Sequence, residues 1–219
     1  MSGATKRRPE GRPEGRSGGR PTAEAAAQLE TAILDAATAA FLADGYAATS
    51  IEAIAKSCGV AKRTIYARWT GKPALFKAVL ERLIARWLSD TSDWNEAATL
   101  QAALDQAASR ILAVALTPEA IALNRLLIAE SARFPELPML MHQAGAGEGT
   151  ARIDALLRRA VSAGTIPPQD TLFAAEQFFH ILLAGPQRRA MGLGRPLDEM
   201  QTRVWQNQAV ALFLHGILT

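Results

Sequence analysis

The 219-residue sequence is poor in the residues that form disulfides and metal sites. Its one cysteine, Cys58, excludes an internal disulfide framework and a cysteine-rich zinc site, and we interpret it as a small apolar residue rather than a redox sensor. The three histidines, His142, His180 and His215, are far apart in the sequence, which argues against a metal enzyme. We therefore expect no metal and no cofactor.

Long apolar runs are also missing. None approaches the roughly 18 residues that a membrane-spanning helix needs. The basic stretch over the first 20 residues has no apolar segment behind it, so it does not have the pattern of a secretory signal. These two absences predict a cytoplasmic protein that does not contact a membrane.

The sequence gives no sign of β-strands. Aromatic residues make up only 6% of the chain and hydrophobic residues 49%, and no segment alternates with a period of two for long enough to form a strand. Apolar residues instead recur at helical spacing between glycine and proline breaks. The pattern predicts an all-α fold of about nine helices, near 22–44, 49–57, 61–69, 72–88, 95–116, 118–133, 138–163, 169–192 and 198–217.

Positive charge is concentrated at the start of the chain. Residues 1–22 carry six basic and two acidic side chains, whereas the chain after residue 88 carries ten basic and thirteen acidic ones. Because 1–22 is also rich in Gly, Pro and Ser, we expect a disordered basic arm. Arg12 and Arg20 each lie between Gly and Pro and can enter a narrow A·T-rich minor groove. The alternative is a solvated tail with only general phosphate attraction.

Residues 49–69 have the organisation of a helix-turn-helix. Thr49 and Glu52 have capping-box spacing at the start of a short helix, Gly59 interrupts it, and a second short helix follows. In that second helix Ile65 and Trp69 are one turn apart and are predicted, with Val60, to face inward. The remaining residues form a candidate outer face: Ala61, Lys62, Arg63, Thr64, Tyr66 and Arg68.

This outer face has the chemistry that DNA recognition requires. Lys62 or Arg63 can donate to guanine acceptors, and Thr64 can contact a thymine methyl group or a phosphate. The ring and hydroxyl of Tyr66 can contact the DNA backbone. The alternative interpretation is an ordinary solvated basic helix in a bundle.

Helix starts near this motif offer further phosphate contacts. Lys72 lies at the start of the fourth predicted helix, where its ammonium and the nearby amides can hold a phosphate. The hydroxyl of Thr49 or Ser50 can do the same at the start of the second helix.

Residues 20–88 resemble the DNA-binding domain of the tetracycline-repressor (TetR/AcrR) family of bacterial regulators. The resemblance runs through 33–37 (ILDAA), 41–46 (FLADGY), 49–55 (TSIEAIA), 59–66 (GVAKRTIY) and 72–76 (KPALF). Trp69 stands where the family more often has phenylalanine, and Pro73 where glutamate is commoner, but both suit the local structure. The resemblance implies an all-helical homodimer with a DNA-binding domain followed by a ligand-binding and dimerising domain. We therefore expect an arm at 1–22, a helix-turn-helix domain at 23–71 and a C-terminal domain at 72–219, with helix 72–89 as the link.

Residues 125–137 resemble the C-terminal domain of AefR-like regulators of the same family. In the family the last two long helices form a four-helix dimer interface, and the apolar residues within 173–183 and 204–214 fit that role, although about half of them would serve simply as core. We expect an apolar pocket with a few polar anchors among the middle helices. The candidate anchors are Asn124, Glu130, Arg133, His142, Gln143, Gln177 and His180.

These observations predict a ligand-responsive transcriptional regulator, in the first place a repressor. A homodimer would read a palindromic operator and release it when a hydrophobic or weakly polar small molecule binds. A transcriptional activator and a non-specific architectural DNA-binding protein are the alternatives. An enzyme is disfavoured because the sequence lacks a phosphate-binding glycine loop, a nucleophile elbow and a paired-histidine metal motif.

Overall fold

The computed structural model describes residues 22–89, 97 and 99–218, and these residues fold into ten α-helices and no strands. The helices are α1 Ala23–Ala48, α2 Ile51–Ser57, α3 Lys62–Tyr66, α4 Lys72–Leu88, α5 Leu100–Ala115, α6 Pro118–Glu130, α7 Glu136–Gln143, α8 Glu148–Ser162, α9 Thr171–Ala190 and α10 Glu199–Ile217. The all-α prediction is confirmed.

Short polar side chains fix where most of the helices begin. Thr22, Ser50, Thr99, Thr117, Asp170 and Asp198 each accept a hydrogen bond from a backbone amide in the first turn of the helix that follows. Such a cap satisfies one of the amides that has no partner within the helix. These starts agree with the predicted ones to within a few residues, except at α5.

One predicted helix is wrong. The segment expected to form a single helix over 138–163 forms α7 and α8, separated by a turn over 144–147. Gly145 adopts a φ of +97°, which is accessible to glycine and strained for other residues. The two helices pack in different places, α7 against the N-terminal helices and α8 against α5, α9 and α10.

The described residues form two hydrophobic cores. The first joins α1–α4 to α6 and α7 and is centred on an aromatic cluster in which the rings of Phe41, Tyr46 and Phe76 pack against one another and Phe134 packs against Tyr46. The second joins α5 to α8, α9 and α10. The first core crosses the predicted domain boundary at residue 71, so α6 and α7 lie directly against the helix-turn-helix unit.

No single helix among those described is long and apolar enough to cross a membrane. The pair formed by α5 and α6 has the length and composition for a span only when the two are taken together, and they are bent by 72° where they meet.

Candidate functional site

The helix-turn-helix is formed by α2, a glycine turn and α3. Ser50 caps α2, its hydroxyl accepting from the amide of Ala53 at 3.1 Å, and Gly59 makes the turn with a φ of +65°. In α3, Ile65 is completely buried, and Val60 and Trp69 pack partly buried against the same core. The predicted inward face of the second helix is confirmed.

The other side of α3 faces outward. Lys62, Arg63 and Arg68 are exposed, Tyr66 retains 44% of its accessible surface, and Thr64 is half-buried. Ala61, also exposed, is the residue that precedes the helix. α3 thus presents two cations, Lys62 and Arg63, and the phenol of Tyr66 outward, while Ile65 anchors it in the core; Arg68 adds a third exposed cation in the turn after the helix.

An ion pair ties α3 to α2 across the turn. The ammonium of Lys62 contacts the carboxylate of Glu52 and lies 5.5 Å from the centroid of the Tyr66 ring. Both members of the pair are exposed, so it is screened by water and contributes little to folding stability. A phosphate can therefore compete with Glu52 for Lys62 at small cost.

Thr49 does not have the predicted role. It is 4% exposed, and its hydroxyl donates to the carbonyl oxygens of Gly45 at 2.7 Å and Ala40 at 3.2 Å. Because Ser50 caps α2, the predicted capping box between Thr49 and Glu52 is wrong, and the hydroxyl of Thr49 is not presented to a phosphate. Ser50 lies at the start of α2, as predicted.

Lys72 is also engaged within the protein. Its ammonium donates to the carbonyl oxygens of Tyr46 at 2.8 Å, Thr49 at 3.1 Å and Ala47 at 3.3 Å. These carbonyls lie at the end of α1, where a cation is favourable for the helix dipole. In this conformation Lys72 stabilises a helix end instead of facing outward towards a phosphate.

A cavity of about 370 Å³ lies behind the helix-turn-helix unit. It is bounded by α4, α5, α6, α8 and α9 and by the end of α7, and its wall is mostly apolar, including Trp87, Leu127 and Phe179. Its polar side chains are Arg110, Asn124 and Gln187. The amide of Asn124 donates to the amide oxygen of Gln187 at 3.4 Å, which joins α6 to α9 across the cavity.

Of the predicted ligand anchors, Asn124 lines this cavity and the others do not. Glu130 binds backbone amides of Tyr46 and Ala47, and the guanidinium of Arg133 lies 5.3 Å from the Phe134 ring. His142, Gln143 and His180 are exposed and Gln177 is half-buried, all four outside the lining. For these six residues the predicted place in the cavity wall is wrong.

Gln187 and Arg110 line the cavity but were not predicted to do so. Gln187 follows Phe179 and Leu183 at intervals of four, so the three lie on one face of α9, and all three line the cavity. A polar residue continuing an apolar stripe was the signal that could have identified Gln187. No comparable signal marks Arg110, which lies between Ser109 and Ile111 in α5.

The last two helices carry large apolar side chains that the protomer does not bury. The most exposed of these are Leu172, Phe173, Met200, Val204 and Leu212, at 50–68% of their accessible surface. The inner sides of α9 and α10 are core, where Phe178 and Phe213 pack with ring centroids 5.0 Å apart. Arg12 and Arg20, predicted to contact the minor groove, lie outside the described residues.

Comparison with known families gives two adjacent matches. Residues 33–79 match the family of bacterial regulatory proteins of the tetR type, and residues 102–216 match the C-terminal domain of AefR-like transcriptional repressors. Among curated proteins, the chain is 43% identical over 56 residues to the HTH-type transcriptional repressor ComR of Escherichia coli K12. That match spans 26% of this chain and 27% of ComR.

Solved structures extend the similarity to the whole fold. A TetR-family transcriptional regulator from Mesorhizobium loti is 31% identical, with a TM-score of 0.75 over 87% of this chain and 97% of its own. The flavonoid-responsive regulator FrrA is 26% identical, with a TM-score of 0.71 over 87% and 97% of the two chains. FadR from Bacillus subtilis, solved with stearoyl-CoA, shares the fold at 20% identity, with a TM-score of 0.69 over 85% of this chain and 98% of its own. The helix-turn-helix, the helical body behind it and these similarities together show that the chain belongs to the TetR family of transcriptional regulators, with a C-terminal domain of the AefR-like type.

Proposed function

We propose that this protein is a transcriptional repressor that binds a palindromic operator as a homodimer and is released by a small molecule. The observation that carries the proposal is the division of α3 into a buried side at Ile65 and an outward side with Lys62, Arg63 and Tyr66. A regulatory role acting on DNA places the protein in the cytoplasm. In this proposal the helix-turn-helix unit at 23–71 binds DNA, and the C-terminal domain at 72–219 binds the ligand.

The outward side of α3 suits the major groove. Lys62 and Arg63 lie in the first turn of the helix, the part that reaches base edges when a recognition helix is docked. Either can donate to the acceptors of guanine, and Thr64 lies beside them for a methyl or phosphate contact. Tyr66 and Arg68 are placed one turn later, where a recognition helix meets the backbone. The N-terminus of α2, at Ser50, supplies a further phosphate contact.

The cavity supports regulation by a largely apolar molecule. Its wall is hydrophobic apart from Arg110, Asn124 and Gln187, so a ligand with one or a few hydrogen-bonding groups can use the amide atoms that the Asn124–Gln187 hydrogen bond does not occupy. FrrA responds to flavonoids, which are apolar ring systems with hydroxyl groups, and such a molecule matches this wall in character. Binding would favour one of two arrangements of the helices that line the cavity.

The exposed apolar side chains of α9 and α10 support a twofold dimer. Five large apolar residues on these two helices are exposed to water, which is unfavourable. The same surface of a second copy can bury them. Two copies of α3 would then face two half-sites separated by about one turn of DNA, ~34–36 Å, or a multiple of it. The predicted operator is therefore an inverted repeat.

Selection of DNA from a random pool by the purified full-length protein tests this function. After several rounds the bound duplexes are sequenced, and the expected result is enrichment of one inverted repeat. If the protein retains DNA but the bound duplexes share no sequence, it is an architectural DNA-binding protein and the proposal is overturned. A reporter gene placed behind the selected site separates repression, which we expect, from activation.

A further inference from the structure

A carboxylate from the body of the protein binds the backbone at the end of α1. Both oxygens of Glu130, the last residue of α6, accept hydrogen bonds at 2.7 Å, one from the amide of Tyr46 and the other from the amide of Ala47. A carboxylate held by two amides is a charge-assisted contact, stronger than a neutral hydrogen bond. The contact therefore ties α6 to the chain that leads into the helix-turn-helix.

Gly45 makes this contact possible. The helical path of α1 breaks at Gly45, where φ is +84° and ψ is 170°, and the break turns the next two amides towards Glu130. A side chain at position 45 would be strained at this φ, and its Cβ would overlap the carboxylate of Glu130. Gly45 and Glu130 therefore form a matched pair, which we call the α1–α6 clasp.

The clasp lies near the point where two helices that line the cavity, α6 and α4, meet the end of α1. α6 lines the cavity through Ala120, Leu123, Asn124 and Leu127 and ends three residues later at Glu130. α4 lines the cavity near its last turn, through Ile84, Trp87 and Leu88, and begins at Lys72. Both helices thus run from the cavity to the same short segment.

That segment, 46–49, is held from two sides by opposite charges. Lys72 at the start of α4 binds its carbonyl oxygens, and Glu130 at the end of α6 binds two of its amides. The next residue, Ser50, caps α2, so the segment connects directly to the helix-turn-helix. A displacement of α6 relative to α4 must either carry this segment with it or break one set of hydrogen bonds.

We propose that Glu130 is a positioning residue that couples the cavity to the orientation of the helix-turn-helix through the α1–α6 clasp. This inference rests on the proposed function, since it explains how an occupied cavity alters DNA binding. Glu130 contacts neither DNA nor ligand in this arrangement. Its carboxylate transmits the position of α6 to segment 46–49 and so to α2 and α3.

A first experiment measures the affinity of Glu130→Gln for a duplex selected by the wild-type protein. Glutamine keeps the length of the side chain but can accept only one of the two amides, so the helix-turn-helix loses its fixed orientation. We expect binding to weaken by at least about fivefold, within the usual range of coupling between sites. The matched control is Glu136→Gln, which removes the same charge at the start of α7; like Glu130, this carboxylate raises the pKa of Tyr46.

Charge alone predicts the opposite result. Removing either carboxylate makes the protein more positive, so both variants would bind DNA equally well or slightly better. Equal affinities for the two variants would therefore overturn the inference. Glu130→Asp, which keeps the charge but is too short to reach both amides, provides a second test and is expected to weaken binding like Glu130→Gln. Hydrogen exchange at Tyr46 and Ala47 should accelerate in both Glu130 variants while the amides around Ile65 stay protected.

A double-mutant cycle tests the connection to the cavity. Val114→Trp places an indole in the cavity from the last turn of α5, as a substitute for an unidentified ligand. We expect it to change DNA affinity at least about fivefold in the wild-type background and less than about twofold when combined with Glu130→Gln. An effect of the same size in both backgrounds, including no effect in either, would overturn the inference. If the wild-type protein selects no DNA sequence, the proposed function itself fails, so the two failures are distinct.

Discussion

The ammonium of Lys72 lies 2.8 Å from the carbonyl oxygen of Tyr46 and 4.6 Å from the centroid of the same residue's ring. Together with its hydrogen bonds to Ala47 and Thr49, this places the positive charge at the end of α1, where carbonyls lack helical partners. Lys72 thereby joins the start of α4 to the end of α1 and packs against the aromatic cluster. The residue belongs to the framework of the helix-turn-helix unit.

Replacing Lys72 with methionine should therefore destabilise the protein. Methionine fills similar space but leaves three carbonyl oxygens without their donor, and we expect a loss of about 1–3 kcal/mol in the free energy of unfolding. Urea denaturation at fixed protein concentration measures the loss. Lys77→Met is the control, because Lys77 pairs with Glu81 one turn along α4, and its loss should cost less than about 0.5 kcal/mol. Equal losses for the two variants would show that Lys72 has no special structural role.

The buried phenol of Tyr46 should make stability fall at alkaline pH. Burial, with smaller effects from the carboxylates of Glu136 and Glu130, raises the pKa of Tyr46 from 10.0 to about 12. In the unfolded chain the phenol ionises near its ordinary pKa, so its contribution is complete below pH 10 and is lost as the pH rises towards 12. The loss amounts to roughly 2–3 kcal/mol.

Denaturation of the wild type and of Tyr46→Phe across this pH range checks the prediction. The wild type should lose stability more steeply, because phenylalanine has no proton to release. Parallel curves would contradict the assigned shift. In a Tyr66→Phe background Tyr46 is the remaining tyrosine of the two in the chain, so ultraviolet titration then reports its pKa directly.

A charge placed on the exposed face of α10 should dissociate the proposed dimer. Leu212 is 64% exposed in the protomer, and Leu212→Glu would bury a carboxylate between two copies. We expect the dissociation constant to rise at least about a hundredfold, corresponding to about 3 kcal/mol, as measured by sedimentation. Met139→Glu on α7 is the control, since Met139 is 54% exposed but lies away from α9 and α10 in the sequence. If Leu212→Glu sediments like the wild type, this face is not the interface.

Local sequence signals predicted the secondary structure and the helix-turn-helix well. A hydroxyl at Thr117 followed by Pro118 marked the start of α6, and the spacing of Ile65 and Trp69 identified the inner side of α3. Both are properties of one turn of helix, which neighbouring residues determine. The break at 144–147 carried such a signal too, since it contains Gly145 and Gly147, although a single helix was predicted through it.

Long-range contacts determined what the sequence could not show. Glu130 was predicted to be a ligand anchor, because nothing near it in the sequence shows that the break at Gly45, 85 positions earlier, turns the amides of Tyr46 and Ala47 towards it. The cavity wall draws on six helices, so its composition depends on how each helix is rotated. Thr49 and Lys72 were assigned to phosphates because their types suit that role, whereas the fold uses both to satisfy carbonyl oxygens at the end of α1.

The most direct test of the account is the affinity of Lys62→Ala and Tyr66→Ala for the selected duplex at fixed salt concentration. Both side chains lie on the exposed side of α3, so each loss should weaken specific binding by about tenfold or more without changing the unfolding midpoint. Arg195→Ala, which removes one exposed positive charge between α9 and α10, should stay within about twofold of the wild type. If all three variants bind equally, α3 does not read DNA and the account is contradicted.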